Sequence, residues 1–307
     1  MDFKIVQIPA PLFESTNVIR IGDTIIDTGH VDDASTSILL QQLESGDLRG
    51  VGEVIITHPH IDHVGASAGA PTVSEMPHIL YRGAERVVEN MSEYLWNSRE
   101  EQKRLLPPVS EALLQTIEEI WDVYFPVQRK YHSINISKTV ESGDVILAGD
   151  MILKVIHTPG HEPNHMALFH EASGTLFSGD LIANSAHFSA APLTSNVGAY
   201  ERSLERIIEL SPKLIVPSHG TLIDSPMEHI ETCVANLQNM KTKILNALEK
   251  LEEATNWEII DDIFDVTDLA KRGTLALIVC YYLERLDEEG VISLDKDVQR
   301  ARIARLS

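Results

Sequence analysis

Residues 54–69 read VIITHPHIDHVGASAG, and two catalytic signatures overlap in them. His58, His60, Asp62 and His63 crowd three imidazoles and a carboxylate together. Gly65-Ala66-Ser67-Ala68-Gly69 fits the G-x-S-x-G pattern of a serine hydrolase elbow. Upstream, Val51 to Thr57 is an apolar run rich in β-branched residues, the mark of a buried strand. Imidazole and carboxylate are the donors a catalytic divalent metal takes. A strand that ends in a loop can aim several of them at one point. His58 and His60 stand two apart, so in extended chain they share a side. Asp62 and His63 follow on the turn. They occupy the bend an elbow serine would need. Gly65, Ala66 and Ala68 therefore read as small residues that let the next helix start close to the sheet, and Ser67 as a packing residue rather than a nucleophile.

The same device recurs downstream. His157-Thr158-Pro159-Gly160-His161 closes a strand near 151–157, Ser178-Gly179-Asp180 closes one near 174–178, and Pro217-Ser218-His219-Gly220 follows Leu214-Ile215-Val216. One histidine at a strand end is ordinarily a hydrogen-bonded structural residue. Four such endings, one of them so dense, imply a metal site along one sheet edge. His30 and His187 fall outside these endings, and His157 is not in a motif position. His157 is expected to be structural. His187, close behind Asp180, is a candidate substrate contact.

Around these motifs strands and helices alternate twice, which predicts a layered α/β fold. Phe3 to Ile8 reads as a strand. Asn17–Ile21 and Thr24–Asp27 read as a hairpin in which Gly22 or Asp23 takes positive φ. Helices are predicted at 35–44 and 198–210, and strands at 78–81 and 165–170. Between about 83 and 131 lies an aromatic-rich helical insertion, read as helices 84–104 and 111–125 broken by Pro107-Pro108, with Ser110 capping the second. The insertion is either a lid giving an apolar wall to an acyl chain, or a face that packs on the body or on a second subunit. The boundary falls near 225. Beyond it, 226–250 and 273–289 read as amphipathic helices, Gly290 ends the second, and 291–294 reads as a small wing strand.

The motifs T-H-P-H-I-D-H, H-T-P-G-H, S-G-D and S-H-G, in that order, resemble those of the metallo-β-lactamase superfamily, in its glyoxalase II and lactonase-like branch. The resemblance covers about residues 15–225 and implies an αββα sandwich. By it, His58, His60 and His161 would hold one metal ion. Asp62, His63 and His219 would hold a second, and Asp180 would bridge both. The family's usual pair is zinc, with iron or manganese as other occupants. Such a pair, about 3.5–4 Å apart, brings a water's pKa toward neutrality, and Asp62 would act in catalysis beside its ligand role. One departure stands out. His161 is followed by Glu162-Pro163-Asn164-His165, where many relatives carry Ser or Thr and an Asp. Asn164 cannot ionise, and His165 is expected to support the site rather than ligate. The C-terminal helices and wing resemble a winged-helix-like appendage of one branch. Leu275, Leu277, Ile278, Val279, Tyr281 and Tyr282 make the would-be recognition helix apolar, so packing is its expected role.

Composition narrows the function. Acidic residues number 46 against 25 basic, a formal charge of −21 that repels nucleic acid and anionic membrane at long range. No run of about 18 apolar residues marks a membrane span. The start shows no secretory pattern, and two cysteines, Cys233 and Cys280, build no disulfide framework, which suggests a cytoplasmic protein. The expected activity is metal-dependent hydrolysis of a small acyl substrate: a thioester, lactone or ester. A mononuclear iron dioxygenase of persulfides, a ribonuclease of the superfamily and a metal-binding protein without catalysis are the other readings. A homodimer is possible on this sequence.

Overall fold

The computed structural model describes residues 3–11, 14–105, 110–191, 193–297 and 299–303. In chain order the first half holds β1 (Lys4–Pro9), β2 (Ser15–Ile21), β3 (Thr24–Ile26), α1 (Asp33–Ser45), β4 (Glu53–Ile56), α2 (Ile61–Gly69), α3 (Pro71–Ser74), β5 (His78–Tyr81), α4 (Ala84–Glu89), α5 (Met91–Leu105), α6 (Glu111–Tyr124) and β6 (Ile136–Val140). Then come β7 (Val145–Ala148), β8 (Met151–His157), β9 (Met166–His170), β10 (Thr175–Gly179), α7 (Val197–Leu210) and β11 (Leu214–Pro217). The C-terminal region holds α8 (Pro226–Leu251), β12 (Glu253–Thr255), α9 (Asn256–Ile263), α10 (Leu269–Glu288), β13 (Ile292–Asp295) and β14 (Arg300–Ile303).

Strands β1 to β6 form one sheet in sequential order, and β11-β10-β9-β8-β7 form a second. Each sheet turns an apolar face to the other. Ile19, Ile26, Ile55 and Ile79 of the first meet Leu153, Val155, Leu168 and Phe177 of the second, all essentially buried. Every such aliphatic side chain taken from water stabilises the sandwich by about 1.5–3 kcal/mol. The opposite faces pack under helices, giving the αββα layering. The hairpin turn is at Gly22, with φ +61°. A Cβ there would stand 2.5 Å from the Gly149 Cα, in the turn between β7 and β8. The two sheets are thus sealed at one corner by backbone against backbone.

Three features depart from the sequence pattern. The predicted helix over 84–104 is two helices. Asn90 sits between them at φ −121°, ψ 36°, with its side-chain amide donating to the Arg86 carbonyl at 2.9 Å. Asparagine commonly bonds its own backbone in this way instead of continuing a helix. Pro107 and Pro108, expected to end the second piece, lie outside the described residues. Strands β6 and β7 carry little signal because they are short and half exposed, with few inward residues. Past α8, a three-stranded sheet β12-β14-β13 surrounds what was read as one wing strand. Ser110 does cap α6, accepting from the Leu113 N–H at 3.2 Å.

The C-terminal region is fastened to the rest. Glu201 of α7 pairs with Lys241 of α8 at 2.8 Å and with Arg285 of α10 at 3.1 Å. The Asn256 side chain donates to the Leu105 carbonyl at the end of α5, at 3.3 Å. Helix α10 packs on two of the insertion helices, α5 and α6. No described helix is long and apolar enough to cross a membrane.

Gly22→Ala should cost about 2 kcal/mol or more, because it adds a left-handed penalty to a backbone clash. Thermal or denaturant unfolding reads this, and an unchanged midpoint would show the corner to be pliable.

Candidate metal centre

Direction places the site. β8, β10 and β11 all run the same way, since β9 is antiparallel to β8 and β10 while β10 and β11 are parallel. The residues after them, His161, Asp180 and His219, therefore emerge at one edge. In the facing sheet β3 and β4 are parallel, and Asp27 and His58 follow their ends. The two edges are tied there. The Asn17 N–H donates to the Ser218 carbonyl at 2.7 Å, and the Met166 N–H to the Thr57 carbonyl at 2.9 Å. Asp62 and His63 are not on a loose turn; they lie in the first turn of α2.

Seven side chains converge in two groups: His58, His60 and His161, and Asp62, His63, Asp180 and His219. The donor atoms of each group lie within 4.8 Å of one another. In the first, His60 Nδ1 is 3.0 Å from His58 Nε2 and 2.8 Å from His161 Nε2. Their protons are committed elsewhere. His161 Nδ1–H donates to the Ser189 carbonyl at 3.0 Å, and His60 Nε2 turns to Glu162 Oε2 at 3.3 Å. His58 Nδ1 faces the Thr57 hydroxyl at 3.1 Å, and that hydroxyl donates to Asp27 at 2.9 Å. Three nitrogen lone pairs thus point at one place, an arrangement that repels itself unless a cation lies between them. Burial, with the neighbouring histidines, holds His58 well below its ordinary pKa and His161 at about 4. Both are neutral, as a ligand must be.

Asp180 straddles the groups. Its Oδ2 is 3.5 Å from His161 Nε2 and 4.0 Å from His58 Nε2, while its Oδ1 is 3.5 Å from both His63 Nε2 and His219 Nε2. Asp62 Oδ2 completes the second group, 3.2 Å from His219 Nε2 and 3.5 Å from His63 Nε2. Asp62 Oδ2, Asp180 Oδ1 and His63 Nε2 are buried without a geometrically sound hydrogen bond among the described residues. Burial would raise both carboxyls, yet the facing histidines hold both well below the usual carboxylate range. Burial would likewise lower the imidazoles, but the carboxylates win. Asp180, Asp62 and Asp27 lift His63 well above its ordinary value, and Asp180 and Asp62 lift His219 to about 9. Without metal the group therefore collects protons as its positive charge. Nitrogen and oxygen donors so placed fit two divalent cations.

The supporting residues were less legible. Asp27, fully buried at φ +59°, accepts from His63 Nδ1 at 2.8 Å, from the Thr57 N–H at 2.8 Å and from the Ser218 hydroxyl at 3.1 Å. It fixes the His63 ring and binds three strand ends together. The only signal is a carboxylate closing the short strand Thr24-Ile25-Ile26. His165 does support the site: its Nε2 accepts from the Asp180 N–H at 3.0 Å, and its Nδ1–H donates to Thr158 Oγ1 at 2.8 Å. Tyr94, from the insertion, donates to Glu162 Oε2 at 3.2 Å and stacks beside His60, linking α5 to the centre.

Other candidates lie elsewhere. Ala186, at φ +54°, turns the chain so that Phe188 packs against Tyr200. His187 is left exposed and is not in the wall of the cavity beside the centre. Ser67 is fully buried, its hydroxyl donating to His78 Nε2 at 2.9 Å, out of reach of solvent. A Cβ at Gly65 would stand 2.6 Å from the Val31 nitrogen, so the small residues do serve close helix packing. His157 stacks on Tyr81 and faces the Pro163 carbonyl at 2.8 Å. His30 is held by Asp32 and the Tyr124 carbonyl. Asn164 packs against Gly83, away from both donor groups.

A cavity of about 340 Å³ adjoins the centre. His60, Asp62, His161 and Asp180 are in its wall, and the remainder comes mainly from α5, α6 and α10. A cavity that meets two groups of histidines and carboxylates at the edge of an αββα sandwich defines a metal-site protein. The family model described as metallo-beta-lactamase superfamily matches residues 13–219, and the chain belongs to that superfamily. The Bacillus subtilis protein named probable metallo-hydrolase YqjP is 26% identical over 288 residues, 86% of this chain and 85% of that one. A beta-lactamase-like protein 2 homolog of Caenorhabditis elegans is 22% identical over 289 residues, 92% of this chain and 83% of its own. An atrochrysone carboxyl ACP thioesterase of Aspergillus fumigatus is 23% identical over 44% of this chain and 45% of its own. The crystal structure of the metallo-beta-lactamase family protein TTHA1429 from Thermus thermophilus has a TM-score of 0.77 at 20% identity, covering 98% of both chains. That shared fold takes in the C-terminal region.

A cation entering the second group must displace protons from His63 and His219. With His219 raised to about 9, its affinity should climb as pH rises from 6 to 9 and fall in acid, by about tenfold per pH unit for each proton displaced. Competition titration against a chelator reads this, and a pH-independent affinity would contradict it. Asp27→Asn should weaken metal binding by about 10–100-fold through loss of His63 orientation.

Proposed function

We propose that this chain is a metal-dependent hydrolase that cleaves a small acyl compound, a thioester, lactone or ester. One observation carries the reading: both donor groups contribute to the wall of a single largely apolar cavity. In this reading His58, His60 and His161 hold one cation, Asp62, His63 and His219 a second, and Asp180 contacts both. Two divalent ions there, zinc or a metal of similar donor preference, supply a hydroxide at neutral pH and polarise a carbonyl. The rest falls to the chain. The cavity seats the substrate with its acyl carbon beside Asp62. The water oxygen joins that carbon, the carbon's bond to the leaving sulfur or oxygen breaks, and the water proton passes to the leaving atom. Asp62, beside its role as a ligand, orients the attacking oxygen. Glu162 and Tyr94 hold the His60 ring from behind. The relatives named hydrolase and thioesterase support this chemistry, and the acidic surface favours a small acyl compound over nucleic acid.

Hydrolysis of a panel of thioesters, lactones and esters, before and after chelation, tests the reading. Asp180→Ala should lose at least one metal equivalent and reduce kcat/KM by roughly 100-fold or more. Ser67→Ala should leave activity within about threefold, since nothing in the reaction uses it. Activity that survives chelation but dies with Ser67 would reverse the assignment.

A further inference from the structure

The cavity beside the metal centre is built by two segments that lie far apart in sequence. Helices α5 and α6 of the insertion give one part of the wall, and the first half of α10 gives another. Away from Asp62 and Asp180, no Asp, Glu, Lys or Arg among the described residues lines it. Apart from the Ser98 hydroxyl, which is buried without a hydrogen-bond partner among the described residues, the polar side chains on the helices of this wall are committed. Gln102 Oε1 accepts from Trp121 Nε1 at 2.6 Å, Thr116 donates to the Ala112 carbonyl at 3.0 Å, and Thr274 donates to the Ala270 carbonyl at 3.1 Å. A wall whose polar groups are mostly spent internally, and which carries no charge away from the metal centre, favours apolar surface.

Gly273 is the informative residue. It lies inside α10, buried, with no positive φ to require glycine. A Cβ built there would meet only Leu113 of α6, at 3.7 Å, an ordinary contact. Neither conformation nor packing calls for glycine, and glycine inside a helix costs stability relative to alanine. What its missing side chain supplies is room in the cavity, across from Leu113.

We propose that this cavity holds the straight hydrocarbon chain of the acyl substrate, and that Gly273 sets the length of chain accepted. The C-terminal region is thereby part of the substrate site. This rests on the hydrolase reading only in placing the acyl carbon at the metal centre. Binding of the chain itself is separable from turnover.

The test uses the protein as purified, carrying Trp96→Phe and Trp257→Phe so that Trp121 in the cavity wall is the reporter. Straight-chain fatty acids from six to sixteen carbons, with acetate as the control for carboxylate binding alone, are titrated against its fluorescence. Affinity should rise with chain length to a limit and then level off, with acetate silent. Gly273→Leu should move that limit to shorter chains and weaken the longest by tenfold or more. Gly273→Ala should make a smaller shift while matching or exceeding the parent thermal midpoint, which separates cavity filling from misfolding. No response to any fatty acid, or one length profile shared by parent and Gly273→Leu, would overturn the proposal. If chains bind as expected and no acyl thioester of any length is hydrolysed, the hydrolase reading fails while the hydrocarbon site stands.

Discussion

Two buried carboxylates and five imidazoles within a few ångströms of each other are unstable without compensating positive charge. That constraint governs the rest of the molecule. His58, His60 and His161 present lone pairs to each other because every one of their other ring nitrogens faces a fixed partner. Asp62 and Asp180 present charge to His63 and His219 without full hydrogen bonding. Cations resolve both conflicts at once; protons resolve only the second. The fold supplies the stiffness that keeps these groups from relaxing apart.

The stiffness comes from a few costly positions at the sheet edge. Asp27 sits in the left-handed region without being glycine, a conformation that persists only where surroundings hold it. There Thr57, His63 and Ser218 do so. Gly179, at φ +55°, brings the backbone so close to His165 that a Cβ would stand 2.4 Å from its Nε2. That contact lets His165 grip the Asp180 N–H and aim its carboxylate at both groups. His63, His161 and Asp180 are thus oriented by groups from elements other than their own.

The legible part of the site is the part written densely in sequence. His58, His60, Asp62 and His63 crowd one strand end, and His161, Asp180 and His219 repeat the same apolar-strand-then-turn pattern, so the pattern of strand endings pointed to seven residues at one edge. The supporting residues carry no such local mark. Asp27 is a single acid after two isoleucines, and Tyr94 and Glu162 meet across 68 positions of chain. Proximity to Asp180 made His187 attractive, but Ala186 reverses the backbone and Phe188 takes the inward place. The layering was legible from the longer or more buried strands, whereas β6 and β7 are short and half exposed and impose little pattern. The C-terminal helix read correctly as apolar; what its apolar face packs against, and the cavity left at Gly273, depend on contacts no local pattern encodes.

All of this depends on the two donor groups being occupied together, with Asp180 between them. Elemental analysis of protein purified without chelator and without a histidine tag measures that directly. About two equivalents of divalent metal per chain are expected, falling to one or fewer in Asp180→Ala. One equivalent in the parent, unaltered when Asp62 or His219 is replaced by alanine, would contradict a paired centre and leave the second group as a protonated ion cluster with no role in holding metal.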